Sequence, residues 1–408
     1  MNPTTSASTL WKITAFAASA ILALPAHSDE LLDRIPEVFE RAAGQYDHML
    51  SMVESDTKIP RTIKEDGSVL TVGPKDWTSG FFPGSLWFLH EYDGSEKWKD
   101  KALDYTRRLE VIRHFKDNHD GGFMLGCSYG NALRLAPSDE FREVLQDAAT
   151  ALGTRYVPSL GMIRSWDNPL FICPVIIDNM MNLELLTWAA KNGGDQKLQE
   201  IAVSHADKTL ANHFRPDGSA YHVVDYDPET GWIRAIYGWQ GADVQTPWAR
   251  GQAWALYGFT MMFRETGKQE YLKCAENVAQ FLMNHPNLPE DLVPYWDFGV
   301  EPGADVPRDA SAAAIMASAL VELSTLSDEG AAYRDFAAKQ LLSLSKAPYL
   351  AEPKTNGGFI LTQSTGHLPK GSEIDVPLVY ADYYYLEALL RYRALLNNET
   401  RLSFGEVK

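Results

Sequence analysis

FICPVIIDNMMNLELLTWAA (Phe171–Ala190) is the stretch on which the fold turns. Val175, Asp178, Met181, Asn182 and Leu185 follow helical spacing, and most sides of the segment are apolar. A helix that is apolar all round belongs in an interior. The same character returns in every second helical stretch, in WTSGFFPGSLWFL (77–89), PWARGQAWALYGF (247–259), DASAAAIMASALVEL (309–323) and VPLVYADYYYLEALL (376–390). Between them lie charged, amphipathic stretches such as SEKWKDKALDYTRRLE (95–110) and GKQEYLKCAENVAQFL (267–282), suited to an outer layer.

Helical patterning covers 30–55, 77–93, 97–114, 126–136, 138–152, 173–191, 195–213, 247–265, 269–284, 309–326, 330–346 and 376–396. Six inner and six outer helices in alternation predict an all-α fold, a closed double ring or (α/α)6 barrel. No low-complexity linker divides the chain, so residues 29–408 read as one catalytic domain, ending in a helix terminus and polar tail. Gly- and Asp-bearing turns recur before inner helices at 118–123, 215–222 and 355–361. If those connections share one end of the ring, the helix N-termini converge there and favour an anion.

The N-terminus has the pattern of an export signal. Lys12 precedes the apolar run Ile13–Ala26, and Ala26-His27-Ser28 is a small-x-small cleavage pattern. Residues 1–28 therefore read as a signal peptide, and a soluble periplasmic or secreted protein is expected. The formal net charge of −17 and the lack of a Lys/Arg cluster argue against nucleic acid as a partner. Cys127, Cys173 and Cys274 are odd in number and widely spaced, which opposes a disulfide framework. No Cys/His group has zinc-ligand spacing, so neither metal nor other cofactor is expected. Eleven Trp and eighteen Tyr supply either core or flat platforms for sugar rings.

Asp178 is the chemically informative residue of the opening stretch. A lone carboxylate on an apolar face is costly unless it is hydrogen-bonded, protonated or functional. It either caps backbone N–H groups near a helix start or does chemistry. Asp120, in NHDGGFMLG (118–126), is a second candidate. Two neighbouring carboxyls would separate in pKa, one holding a proton near neutrality while the other ionises.

From about Asp76 to Arg391 the chain resembles the unsaturated glucuronyl hydrolases, glycoside hydrolase family 88. The resemblance is carried by DWTSGFFPGSLWFL (76–89), NHDGGFMLG, IRSWD (163–167), VIIDNMMNLELL (175–186), DGSAYHVVDYD (217–227), TPWARGQAWALYGF (246–259), PRDASAAAIMASAL (307–320) and GSEIDVPLVYADYYYLEALLR (371–391). It implies the (α/α)6 barrel and an unusual reaction. A carboxyl protonates C-4 of a 4,5-unsaturated uronate, water adds at C-5, and the hemiketal opens to release the neighbouring sugar. Asp178 matches the family's catalytic acid/base and Asp120 its second carboxylate. Trp77, His222, Gln240, Trp248, Arg250, Trp254 and His367 match residues around the substrate. Trp248 and Trp254 are implied stacking faces, with core packing as their other reading. Arg250 faces either the substrate carboxylate or an inner carboxylate of the protein, and His222 is either a contact or a structural histidine.

Two departures stand out. Gly121 follows Asp120 where the family commonly has a branched aliphatic residue, which implies a looser turn. Gly366, before His367, replaces an aromatic of some relatives. The competing functions are an inverting glycosidase of the same fold acting at C-1 of a saturated sugar, and a non-catalytic sugar-binding protein. The latter has no use for an apolar-set carboxylate pair. The expected partner is an oligosaccharide ending in an unsaturated uronate, with no membrane contact; oligomeric state, sulfate preference and the adjoining sugar stay open.

Overall fold

The computed structural model describes residues 26–53, 57–399 and 404–405. Its α-helices are α1 (Ala26–Met52), α2 (Phe81–Asp93), α3 (Glu96–Arg107), α4 (Asn131–Leu135), α5 (Asp139–Gly153), α6 (Leu183–Lys191), α7 (Lys197–Asn212), α8 (Ala249–Thr266), α9 (Gln269–Asn284), α10 (Ala310–Leu323), α11 (Gly330–Leu344) and α12 (Val379–Leu396). Even-numbered helices form the inner ring, where α10 packs against α8 and α12, and α12 closes on α2. Odd-numbered helices lie outside, each against an inner neighbour. The chain is an (α/α)6 barrel, as the alternation of apolar and amphipathic stretches predicts. The main apolar core runs from Leu31 to Tyr392 through both rings.

Local chemistry sets the helix ends. Ser138 accepts a bond from the Phe141 N–H at the start of α5, and Asp309 accepts from Ser311 and Ala312 at the start of α10. Gly94 and Gly267 close α2 and α8 at φ values of 72° and 70°, a backbone region glycine enters without steric cost. The small side chains of α10 are buried throughout its length, which lets neighbouring inner helices approach closely.

The inner ring departs from regular α-helix where sequence reading expected none. α4 is entered through a π-helical segment, Gly122–Gly130, so helix starts earlier than residue 126. The expected helix over 173–191 begins as a strand at Pro174–Ile176, passes through a 3-10 segment at Ile177–Asn182, and only then becomes α6. The cause is tertiary. Pro174, Val175 and Ile176 pair with Asp225, Val224 and Val223, and β-branched residues suit that ladder better than a helix.

The strands, β1 (Ile59–Ile63), β2 (Val69–Val72), β3 (Tyr156–Val157), β4 (Met162–Ile163), β5 (Pro174–Ile176), β6 (Val223–Tyr226), β7 (Ile233–Tyr237), β8 (Ser364–His367) and β9 (Ser372–Val376), are short. They form antiparallel hairpins β1–β2, β3–β4 and β8–β9 and a three-stranded sheet β5-β6-β7. A mostly helical reading misses them because each is brief and decorates a loop.

The expected signal peptide lies outside the described residues except for Ala26-His27-Ser28, whose backbone opens α1. Among the described residues no helix is long and apolar enough to cross a membrane. The three cysteines are free. The polar tail is anchored: Phe404 lies against Gly126 and Gly130, and Trp188 Nε1 donates to the Gly405 carbonyl at 3.1 Å.

Two adjacent glycines give a test of packing. Gly121 is helical, and a Cβ there would meet only Leu185 and Leu152 at 3.8 and 3.9 Å, so its turn is not loosened. A Cβ on Gly122 would lie 2.7 Å from the Cα of Asn182. Gly122→Ala should therefore cost about 1–3 kcal/mol in denaturant unfolding. Gly121→Ala should be neutral or stabilising by up to about 1 kcal/mol. Equal effects would contradict the close approach.

Candidate active site

The entrances to the inner ring converge on a cavity of about 210 Å³ lined by Trp77, Asp120, Asp178, Gln240, Arg250 and His367. Trp77 precedes α2, Asp120 precedes the π-helical segment, Asp178 lies in the 3-10 turn before α6, and Arg250 opens α8. This is the end at which the inner-helix dipoles are positive, and of the three Gly- and Asp-bearing turns 118–123 lines the cavity. His119, Trp166, Arg61, Glu373, Lys370 and Tyr380 also line it; sequence reading gave them no role. His119 was legible as Asp120's neighbour, and Trp166 stood inside the IRSWD stretch. Arg61 comes from β1, ahead of the resembling region, and carried no signal.

Two segments carry the carboxyls, and they are fastened together. Phe123 N–H donates to Asn182 Oδ1 at 2.9 Å, across the gap that Gly122 keeps narrow. Ser165 braces both: its carbonyl accepts from His119 N–H at 3.0 Å, and its Oγ accepts from Ile176 N–H at 3.0 Å. Asn179 adds a bond to the Ile163 carbonyl at 2.8 Å. The Asp120 amide is held by Asn118 Oδ1 at 2.9 Å.

Asp178 is buried, and its Oδ2 makes no hydrogen bond within the protein. The nearest partner is His222 Nε2, 3.6 Å away. Burial raises the Asp178 pKa to about 7, against the opposing pull of the Arg250 charge. Asp120 is raised well above the usual carboxylate range by burial and then by the charges of Asp178 and Asp76. Both carboxyls face one cavity, and both are pushed toward the protonated form. His119 Nε2 stands 3.4 Å from Asp120 Oδ1, and burial holds that imidazole neutral, its pKa pushed down to about 3.

His222 is also neutral, with burial taking its pKa to about 3. Its Nδ1 is 3.2 Å from both the Gly238 carbonyl and the Gln240 N–H. A proton on Nδ1 serves the carbonyl and leaves the Nε2 lone pair facing Asp178 Oδ2; the other tautomer accepts from Gln240 and turns its Nε2–H toward that oxygen. At 3.6 Å neither makes a hydrogen bond to the acid.

The structure decides among the sequence alternatives for three residues. Arg250 is committed to the protein: it donates to Asp309 Oδ2 at 2.8 Å and to the Thr365 and Gly366 carbonyls at 2.6 Å each. It lines the cavity while holding β8, so the reading as a structural ion pair is the one realised. Trp254 is fully buried behind Phe123 and Tyr384 and offers no face to a sugar. Trp248 is buried too, stacked 4.4 Å from His222 with the Arg250 guanidinium 4.5 Å over its ring. The implied stacking role fails for these two because neighbouring rings and the cation already occupy their faces. Trp77 does line the cavity, packed 4.9 Å from Tyr380.

Gly366 has a structural counterpart. A Cβ there would meet Glu373 Oε2 at 2.5 Å, so the Glu373 side chain fills the space. Arg61 clamps Glu373 through two bonds of 2.7 and 2.9 Å and reaches Asp76 at 2.7 Å.

A second cavity, of about 290 Å³, lies at the opposite end of the inner helices. Its charges satisfy one another: Arg264 pairs with Glu184, Glu265 and Glu322, Arg391 with Glu322 and Glu387, and Glu387 also accepts from Ser318 and Tyr257. Among the described residues no group of three or more His, Cys, Asp or Glu is placed to hold a metal.

Comparison with known proteins agrees with the fold. The model of Glycosyl Hydrolase Family 88 matches residues 75–394. An unsaturated glucuronyl hydrolase of Formosa agariphila is 44% identical over 366 residues, 89% of this chain and 91% of that protein. One from Bacillus sp. strain GL1 is 34% identical over 328 residues, 78% and 86% of the two chains. The crystal structure of an unsaturated glucuronyl hydrolase specific for heparin superposes with a TM-score of 0.87 at 44% identity, covering 90% of this chain and all of that one.

The raised acid has a consequence for stability. An unfolded aspartate ionises near pH 3.9, whereas folded Asp178 keeps its proton to about 7. Stability therefore falls as pH rises between those values and is level above. Asp178→Asn removes this loss, so the variant's stability relative to wild type should rise by up to a few kcal/mol between pH 4.5 and pH 8. An equal stability difference at both pH values would contradict a raised Asp178.

Proposed function

The chain belongs to glycosyl hydrolase family 88, and from that premise we propose that it removes 4,5-unsaturated glucuronate from lyase-generated oligosaccharides, with Asp178 as the acid and base. The observation that carries this reading is a buried carboxyl, unbonded at Oδ2, opening on a cavity where the inner-helix N-termini meet. An inverting glycosidase needs one carboxyl ionised as base while the other is protonated. Here burial raises both, which suits proton delivery to carbon better than water activation by a permanently charged base.

The proposed step begins with Asp178 giving its proton to C-4. The C-4=C-5 electron pair forms the new C–H bond, and the positive charge left at C-5 is shared with the ring oxygen. Water adds at C-5 and loses a proton to the Asp178 carboxylate, regenerating the acid. The C-5 hemiketal then opens to a ketone, leaving a hemiacetal at C-1 whose collapse expels the adjoining sugar. Asp120, protonated, donates a hydrogen bond to substrate or to the incoming water. The N-terminal apolar run and cleavage pattern support export, which would place the enzyme where extracellular lyase products arrive.

Loss of the double bond's ultraviolet absorbance follows turnover. Asp178→Asn should fold and lose roughly a hundredfold to ten-thousandfold in kcat; a folded variant retaining more than about a tenth of the activity would overturn the assignment. In deuterium oxide, early product should carry deuterium at C-4. Release of the sugar with C-4 unlabelled would favour attack at C-1.

A further inference from the structure

Building on that activity, we infer that an aromatic path on the outer face of the β5-β6-β7 sheet is a binding site for sugars beyond the one joined to the unsaturated uronate. The path starts at the catalytic cavity. Trp166 and His367 line it, and each lies 6.0 Å from Trp239, which is not itself part of the wall. Trp239 meets Phe171 at 5.2 Å, and Phe171 meets Tyr237 at 5.0 Å. Tyr237 is 37% exposed. Phe171 is buried and backs the path from beneath, so the faces open to a sugar are those of the half-buried Trp166 and Trp239 and the exposed Tyr237.

The strand explains why the series faces outward. Along β7 alternate residues share a face. Ile236 packs inward against Val224 and its neighbours, while Ile233 and Tyr237 lie on the exposed side. Trp239 continues that alternation past the strand end, but at φ 51°, in the left-handed region that a bulky side chain rarely enters. The strain is maintained from both sides of the residue. The Gly238 carbonyl faces His222 Nδ1, and Gln240 donates both to that nitrogen and, through Nε2, to the Gly366 carbonyl at 3.0 Å. Those contacts tie the loop to the catalytic His222 and to the β8–β9 hairpin, fixing the Trp239 ring between the cavity and the outer sheet.

The chemistry of the path selects its occupant. Aromatic faces edged by polar groups suit the C–H faces of pyranose rings. Lys370, exposed on the hairpin, lies with its ammonium 4.4 Å over one face of Trp239, so a sugar stacking there takes the place of an exposed side chain, unlike the buried Arg250 over Trp248. Continuity with the cavity makes the ligand the non-reacting end of the same oligosaccharide. The structure therefore assigns the enzyme a preference for substrates longer than a disaccharide.

The experiment compares an unsaturated disaccharide with a tetrasaccharide bearing the same terminal pair, for wild type, Tyr237→Ala, Trp239→Ala and Trp239→Phe. Wild type should show a higher kcat/KM on the tetrasaccharide, expressed in KM. Each alanine variant should reduce the tetrasaccharide-to-disaccharide ratio roughly three- to tenfold, and Trp239→Phe should restore most of it. Equal ratios for wild type and the alanine variants, or a wild type without length preference, would overturn the inference. Inactivity of wild type on both substrates would instead contradict the proposed reaction. In that case, titration of Asp178→Asn with a saturated tetrasaccharide, followed by tryptophan fluorescence, decides whether the path binds sugar: saturation lost in Asp178→Asn/Trp239→Ala supports it, and no saturation refutes it.

Discussion

Asn182 holds the site together. Its side-chain oxygen takes the Phe123 N–H, and its backbone lies so near Gly122 that no side chain fits between. This one contact fastens the π-helical segment following Asp120 to the 3-10 turn containing Asp178. Both irregular segments replace what would be ordinary helix, and each turns its carboxyl into the cavity. A regular helix over 173–191 would have no reason to break at residue 177. The strand pairing with Val223 and Val224 forces the break and brings His222 alongside the acid.

Burial then sets the chemistry. Neither acid has a cation as its direct partner. The cavity's arginines are occupied, Arg250 by Asp309 and two carbonyls, Arg61 by Glu373 and Asp76. Desolvation therefore outweighs the pull of the more distant arginine charges, and both carboxyls retain protons that a surface aspartate would lose. The flanking imidazoles stay neutral for the same reason. The cost in stability is accepted at the place where protonation is used.

Much of this was legible in the chain. The alternation of apolar and amphipathic helices shows the barrel because burial writes itself into periodicity. Asp178 stood out as a charge in an apolar run, and Asp120 through its Gly-rich turn. What could not be read were pairings between distant segments. Arg250's commitment to Asp309 and β8, the ring contacts that enclose Trp248 and Trp254, and the entry of Arg61 from a hairpin ahead of the barrel all depend on tertiary closeness. The short strands were invisible for a similar reason: two to five residues set no period of their own. Gly366 read as a missing ring, while the structure shows Glu373 in the vacated space.

The central claim is that apolar burial keeps Asp178 protonated near neutrality. NMR titration of protein labelled with carbon-13 at the aspartate carboxyls measures this directly, with Asp178→Asn identifying the resonance. The account predicts a midpoint at about 7. A midpoint near 4, the value of an exposed aspartate, would contradict it.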